Sequence, residues 1–352
     1  MNETITLKNR QKRILNLLAN SPILSSNQLN TQLSSLYSIS KATLARDLQA
    51  LVNQKLIKKS GKGPSTTYKS TTKHPLLSIV DLDQYFAITS DNRHQASPSF
   101  NNKVYKQLKN ILLQSEKTHL KKIYQPFSKP ISKHESGYLE RELERFIIDL
   151  SWKSSRIEGN TYTLLEAETL LKQGFEATGH TKQESIMILN HKTAFESIFK
   201  NKSSFKQLKK SNILELHQIL TQDLNITSGI RIRPVKITGT PYKPIDNQHQ
   251  LSENLDKIIK VINKIKHPLE KAIIGNCMVA YLQPFLDGNK RTSRMLGNAI
   301  LLAHDYFPLS FRSIDENEYK QALVIFYETN NLSNFKKLIL SQYQFSLEEY
   351  FI

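Results

Sequence analysis

A single cysteine, Cys277, in a chain of 352 residues excludes an internal disulfide. Its place in an apolar helical run makes it a small buried hydrophobe, which suits a reducing compartment. The ten histidines lack metal-ligand spacing. His191 and His217 therefore read as hydrogen-bonded core residues rather than zinc ligands. Nothing in the order of Ser, His and Asp singles out a nucleophilic triad. No apolar run is long enough to span a bilayer. Charges interrupt Ile5 to Leu18, unlike a secretory leader. A cytoplasmic chain without a membrane partner is the expectation. Acidic residues are also scarce, 31 against 49 Lys and Arg, giving a net charge of +18. A hydrophobic content of 39% is that of a globular chain, and the length suits two or three domains with real cores.

The positive charge is concentrated at one end. Residues 1–73 carry twelve Lys or Arg against Glu3 and Asp47, a balance of +10. The spacing predicts a helix over Arg10 to Ala19 and a second after Ser25-Ser26 with Leu29 and Leu33 inward. A third is predicted from an N-cap at Ser40, with Leu44, Leu48 and Leu51 on its apolar face. The opposite face of that third helix presents Lys41, Thr43, Arg46 and Gln49. Two short strand candidates then flank a basic, Gly-containing turn with Lys58, Lys59 and Lys62. This order resembles a winged helix-turn-helix domain. The resemblance implies a third helix entering the DNA major groove, wing lysines on phosphates, and paired half-sites read by a homodimer. A solvated basic surface or a protein-binding face is the competing reading.

A linker follows, Ser70 to Pro75, and residues 74–135 are expected to form a linker and helical arm. From 136 to 352 the patterning is helical. An amphipathic run with Leu139, Leu143, Phe146, Ile147 and Leu150 leads into Ser154-Ser-Arg-Ile-Glu158-Gly-Asn160. Asn190-His191 opens another helix with Ala194 and Ile198, and Ile213, Leu216 and Leu220 mark a further one.

The richest segment is Gln283-Pro-Phe-Leu-Asp-Gly-Asn-Lys-Arg-Thr-Ser-Arg294, between the helical runs Ala272 to Leu282 and Thr292 to Leu302. A helix start with unpartnered N–H groups attracts anions. Gly288 admits close approach of a phosphate, and Lys290, Arg291 and Arg294 add cations. Asp287 supplies a hard oxygen suited to a magnesium ion shared with phosphates, or to capping the next helix.

This segment resembles the signature of the Fic (Fido) family, His-x-Phe-x-Asp/Glu-Gly-Asn-x-Arg-x-x-Arg. Eleven consecutive positions, Pro284 to Arg294, fit; at the twelfth, Gln283 stands where the family has its catalytic His. The resemblance implies an all-helical Fic core, ATP and Mg2+ as ligands, and transfer of AMP to a protein hydroxyl. Gly288, Asn289, Lys290, Arg291 and Arg294 would hold the nucleotide and Asp287 the metal. It also makes Ser154 to Asn160 an inhibitory-type motif, with Glu158 pairing with Arg294. Gly229 to Pro244 becomes the flap, a β-hairpin that aligns a target; an ordinary surface hairpin suits the same pattern. His can take a proton from a hydroxyl near neutral pH, whereas an amide cannot. Losing the base forfeits roughly 10²–10⁴-fold in rate while positioning and phosphate electrostatics survive. Two functions follow. One is a DNA-binding regulator whose Fic domain binds nucleotide with weak or lost transfer. The other is an active AMP transferase, or remover of AMP, regulated by Glu158 and acting on a protein target.

Overall fold

The computed structural model describes residues 7–350 except 21–22, 35–36, 38, 55, 72–73, 79, 94–95 and 129–135. The chain divides into two compact units, residues 1–95 with 329–334 and residues 96–328 with 335–352. The stretch 74–135 thus falls partly in each.

In the first unit, α1 (Asn9–Asn20), β1 (Leu24–Ser25), α2 (Ser26–Ser34), α3 (Lys41–Asn53), β2 (Ile57–Ser60) and β3 (Thr67–Ser70) follow the expected order. The three strands form one antiparallel sheet, β1-β3-β2, with Lys59 opposite Tyr68 and Leu24 opposite Tyr68 on the other edge. Leu15 and Leu18 of α1, Leu29 and Leu33 of α2, and Leu44, Leu48 and Leu51 of α3 share one core with Ile57 and Tyr68. Ser40 caps α3 by accepting from the Thr43 N–H at 3.2 Å. The turn between β2 and β3 depends on Gly61, at φ +85°, where a Cβ would lie 2.6 Å from the Ser65 carbonyl oxygen. A short helix, α4 (Leu82–Phe86), follows. Residues 331–333 return to this unit: the Leu332 N–H donates to Leu76 O, and the Ser333 hydroxyl to Ser78 O at 2.8 Å.

The second unit is helical. Its elements are α5 (Gln114–Ile123), α6 (Ser136–Ile157), α7 (Leu164–Gln173), α8 (Lys182–Lys200), α9 (Lys210–Thr221), α10 (Gln248–Lys264), α11 (Pro268–Leu282), α12 (Asn289–Ala303), α13 (Glu316–Thr329) and α14 (Ser333–Glu349), the facing ends of the last two, residues 329–334, belonging to the first unit. The central element is α11, which is buried from Leu269 to Leu282. A helix buried on every side can exist only where neighbours cover every face. It packs against α10 and α12, and Gly275 lets Ile300, Ile262 and Leu296 close in, with a built Cβ only 3.2 Å from Ile300. The helix at 191 starts earlier than the periodicity indicated, because Thr181 and Glu184 form a capping box at its head.

The expected flap hairpin is corrected. Residues 229–247 contain no strand ladder; Lys243 makes one isolated parallel bridge with Ser99. Pro234, Pro241 and Pro244 each remove an N–H donor, so a continuous ladder has no partners there. Thr238 and Gly239 lie in a turn, and Gly239 has φ +79°.

Candidate functional site

The site grows out of the turn between α11 and α12. Helix α11 ends with Gln283 in the left-handed region, φ 52° and ψ 56°, its N–H still bonded to Val279 O. Pro284 has no N–H with which to continue the helix. The Gln283 side chain turns back, its Nε2 donating to Ala280 O at 2.6 Å. Asn289 then closes the loop like a staple: its Oδ1 accepts from Phe285 N at 2.9 Å and its Nδ2 donates to Phe285 O at 2.8 Å. Phe285 is buried and stacks on His217, with ring centroids 3.7 Å apart. Gly288, at φ +77°, starts α12, and a Cβ there would meet Thr221 at 3.0 Å.

His217 extends the support outward. Its Nε2–H donates to the Asp287 carbonyl at 3.0 Å. Burial, only partly offset by that bond, lowers its pKa to about 4, so the ring is neutral at physiological pH. His191 is likewise buried and neutral, its pKa lowered to about 3 mainly by burial; its Nδ1 faces Met187 O at 2.8 Å. Among the described residues no group of His, Cys, Asp and Glu could hold a metal alone.

Asp287 projects outward, its side chain 68% exposed. One oxygen accepts from the Gly288 N–H at 2.6 Å and the other faces Arg291 at 3.2 Å. Each oxygen keeps a lone pair, so the residue fits a hard cation whose other ligands come from phosphate and water.

The two signature arginines have different partners. Arg291 is buried against the Leu220 carbonyl and Asp287, off the cavity wall, and braces the loop. Arg294 is fully buried. Its Nε donates to Ser154 Oγ at 2.9 Å and its Nη2 to Ser154 O at 2.8 Å, and its guanidinium lies over the Tyr319 ring. Its Nη1 lies 2.8 Å from Glu158 Oε1. The second Glu158 oxygen pairs with Lys290 Nζ at 3.0 Å. Burial alone would raise the Glu158 pKa; Arg294 and then Lys290 overcome that and bring it to about 2. Glu158 reaches this place because α6 stops at Ile157 and Gly159 turns at φ +100°.

A cavity of about 490 Å³ opens above the loop. Glu158, Gln283, Asp287, Asn289 and Lys290 form one wall; flap residues 235–238 form a second. Lys320, Leu323, Val324 and Tyr327 of α13 form the third. That volume suits a small-molecule ligand. The α13 wall escaped sequence reading, because its apolar spacing is that of any core helix. Arg231 escaped too. Its Nε donates to Gln283 O at 2.8 Å and its Nη1 to Arg233 O at 2.8 Å, while Nη2 bonds Ile245 O. One guanidinium thereby ties both arms of the flap to the loop. The cue was its place two residues from Gly229 in a segment poor in backbone donors.

In the first unit, Lys41 and Arg46 are exposed on α3, and Lys58, Lys59 and Lys62 are exposed on β2 and the turn after it. Thr43 is half-buried, its hydroxyl 3.0 Å from that of Ser40. Asp47, the single described acid of residues 7–73, is withdrawn into an ion pair with Arg10 at 2.9 Å. The exposed surface is left basic.

Residues 207–301 match the Fic/DOC family and residues 10–63 the DeoR-like helix-turn-helix domain. Protein adenylyltransferase Fic of Nematostella vectensis is 26% identical over 192 residues, 53% of this chain and 44% of that protein. Protein adenylyltransferase fic-1 of Caenorhabditis elegans is 24% identical over 55% of this chain and 39% of its own length. The chain thus spans less than half the length of these relatives. Among solved structures, a Fic-domain signaling protein from Bacteroides thetaiotaomicron shares the fold with a TM-score of 0.56 at 22% identity, covering 65% of this chain and 94% of that one. Fic-1 of C. elegans gives 0.54 at 22% identity, covering 67% and 71%. The chain is a Fic-domain protein with an N-terminal helix-turn-helix domain.

Proposed function

We propose that this protein is a DNA-binding regulator whose Fic domain takes a nucleoside triphosphate, ATP by analogy with the named relatives, as a ligand and transfers its AMP weakly or not at all. The observation that carries this reading is Gln283. It occupies the floor of the cavity, at the position of the family's base, with its amide nitrogen donated to Ala280 O. An amide there cannot take a proton from an acceptor hydroxyl. The rest of the site fits a triphosphate. Lys290 lines the cavity and Arg294 lies behind Glu158, so both would meet phosphate oxygens once that carboxylate moves; the start of α12 adds backbone N–H groups, and Asp287 offers oxygens for a magnesium ion shared with the ligand. That ion would neutralise phosphate charge.

Glu158 competes with the ligand. A carboxylate already holding Arg294 and Lys290 must leave before a terminal phosphate can take its place. A retained lock of this kind also favours a second reading, an AMP-transferring or AMP-removing enzyme restrained by Glu158. Incubation with α-labelled ATP and magnesium separates the two. Binding without labelled protein, in wild type and Glu158→Gly alike, supports the regulator; label on the protein or an added target supports the enzyme.

For the N-terminal domain, α3 reading a major groove and the β2–β3 wing resting on phosphates is the role its basic face supports. Residues 331–333, directly after the cavity-lining helix α13, hydrogen-bond to Leu76 and Ser78 of the same compact unit as the helix-turn-helix.

A further inference from the structure

The charge of the chain has a second concentration outside the helix-turn-helix. Residues 200–210 hold five lysines and residues 257–266 four, with no acid in either stretch. The rest of the chain beyond residue 73 holds 28 basic and 29 acidic residues. All of its surplus therefore lies in these two stretches. The fold brings them together. Leu208 N donates to Asn263 Oδ1 at 2.9 Å, and Asn263 Nδ2 donates back to Leu208 O at 2.9 Å. Lys206, Lys257, Lys260 and Lys264 are exposed. On α10, residues 257, 260 and 264 follow a three-and-four spacing opposite the buried Leu255, Ile258, Ile259 and Ile262. The acids nearby are few: Asp256 is taken by Lys210 at 2.7 Å, and Glu253 and Glu215 lie at the borders.

We infer that this face is a second nucleic-acid surface, which holds the phosphates of duplex DNA. The inference adds to the reading of the N-terminal domain as a DNA binder and rests on it for the choice of partner. Seven residues of α10 advance about 10 Å, the length over which one DNA strand presents roughly three phosphates. A stripe of three lysines matches that spacing. No side chain of the stripe is an aromatic base-stacker, so the contact is with backbone and carries no sequence preference. It would raise affinity for long duplexes and leave site choice to α3.

Fluorescence anisotropy with the full-length protein and a long duplex of random sequence tests this across salt. The variant Lys206→Gln, Lys257→Gln, Lys260→Gln, Lys264→Gln removes four exposed charges, and its thermal melt is compared with wild type to verify folding. Its log–log salt slope is expected to be shallower by roughly 0.9 per lost phosphate contact, so about 3 to 4 in all. An unchanged slope overturns the proposal; if Lys58→Gln, Lys59→Gln, Lys62→Gln still weakens binding, the helix-turn-helix reading survives alone. Binding lost in the four-lysine variant but kept in the wing variant supports the surface and removes the helix-turn-helix role instead. A wild-type chain that ignores duplex DNA at low salt overturns both.

Discussion

Glu158 and Arg294, 136 positions apart in sequence, meet at 2.8 Å, and Ser154, one helical turn before Glu158, grips the same guanidinium through its hydroxyl and its carbonyl. One segment thus both seats the arginine and occupies it. Removing the carboxylate while leaving Ser154 frees a preoriented cation. Glu158→Gly is expected to bind Mg-ATP about 10-fold or more tightly than wild type, by calorimetry, since charge-assisted hydrogen bonds are worth roughly 1.5–3 kcal/mol. Equal affinities would remove the competition argument.

The same substitution leaves a buried cation without its partner. Breaking such a pair is destabilising by roughly 3–5 kcal/mol when no substitute is present. The melting temperature of Glu158→Gly should fall in the absence of nucleotide and rise again with saturating Mg-ATP, because a ligand that binds only the folded state stabilises it. A melt indifferent to ATP would count against phosphate binding at Arg294.

Restoring the base tests what Gln283 removes. His tolerates the left-handed region better than most residues, so Gln283→His should fit the backbone at φ 52°. In the Glu158→Gly background it is expected to raise transfer of label from α-labelled ATP by roughly 10²–10⁴-fold. Silence from the double variant would mean that more than the base is missing.

Acid should loosen this site in a defined order. His217 and His191 have folded pKa values of about 4 and about 3, depressed mainly by burial. An unfolded histidine takes its proton near pH 6.5. Their contribution is therefore complete above that pH and fades as pH falls toward 4 and 3. Glu158, at about 2, is likewise depressed: its stabilising ion pair is complete above roughly pH 4.5 and is lost only as pH falls toward 2. Melting temperature should decline steadily below pH 6.5, and His217→Gln should flatten the upper part of that decline. A flat profile between pH 7 and 4 would contradict the burial of both neutral rings.

Arg231 is predicted to act through the flap. Its guanidinium serves three carbonyls with little water access. Arg231→Ala should destabilise the fold by about 2–3 kcal/mol, the order of a buried charged hydrogen-bond hub. It should also weaken nucleotide binding, measured by thermal melt and calorimetry. A melt shift without any change in binding would show the flap to be independent of the cavity.

The parts that were legible in the sequence are those set by local rules. Ser40 as an N-cap and Leu44, Leu48 and Leu51 on one face follow from neighbours a few residues away. The loop from Gln283 to Arg294 was legible because its residues are contiguous. The flap forms no hairpin although Val235 and Ile237 alternate with polar neighbours, because three prolines remove the donors a ladder needs. In the sequence nothing separates Arg291 from Arg294 as a cation of the loop. Only the tertiary position of Leu220 shows that it turns inward. The α13 wall and the Phe285–His217 stack depend on contacts between distant segments, which a pattern along the chain does not carry.

The most direct measurement is a calorimetric titration of Mg-ATP into full-length Glu158→Gly protein. The account predicts saturable one-to-one binding, weakened when Lys290 is replaced by alanine. Absence of heat and of any thermal stabilisation by ATP or other nucleoside triphosphates would contradict a nucleotide site at this loop.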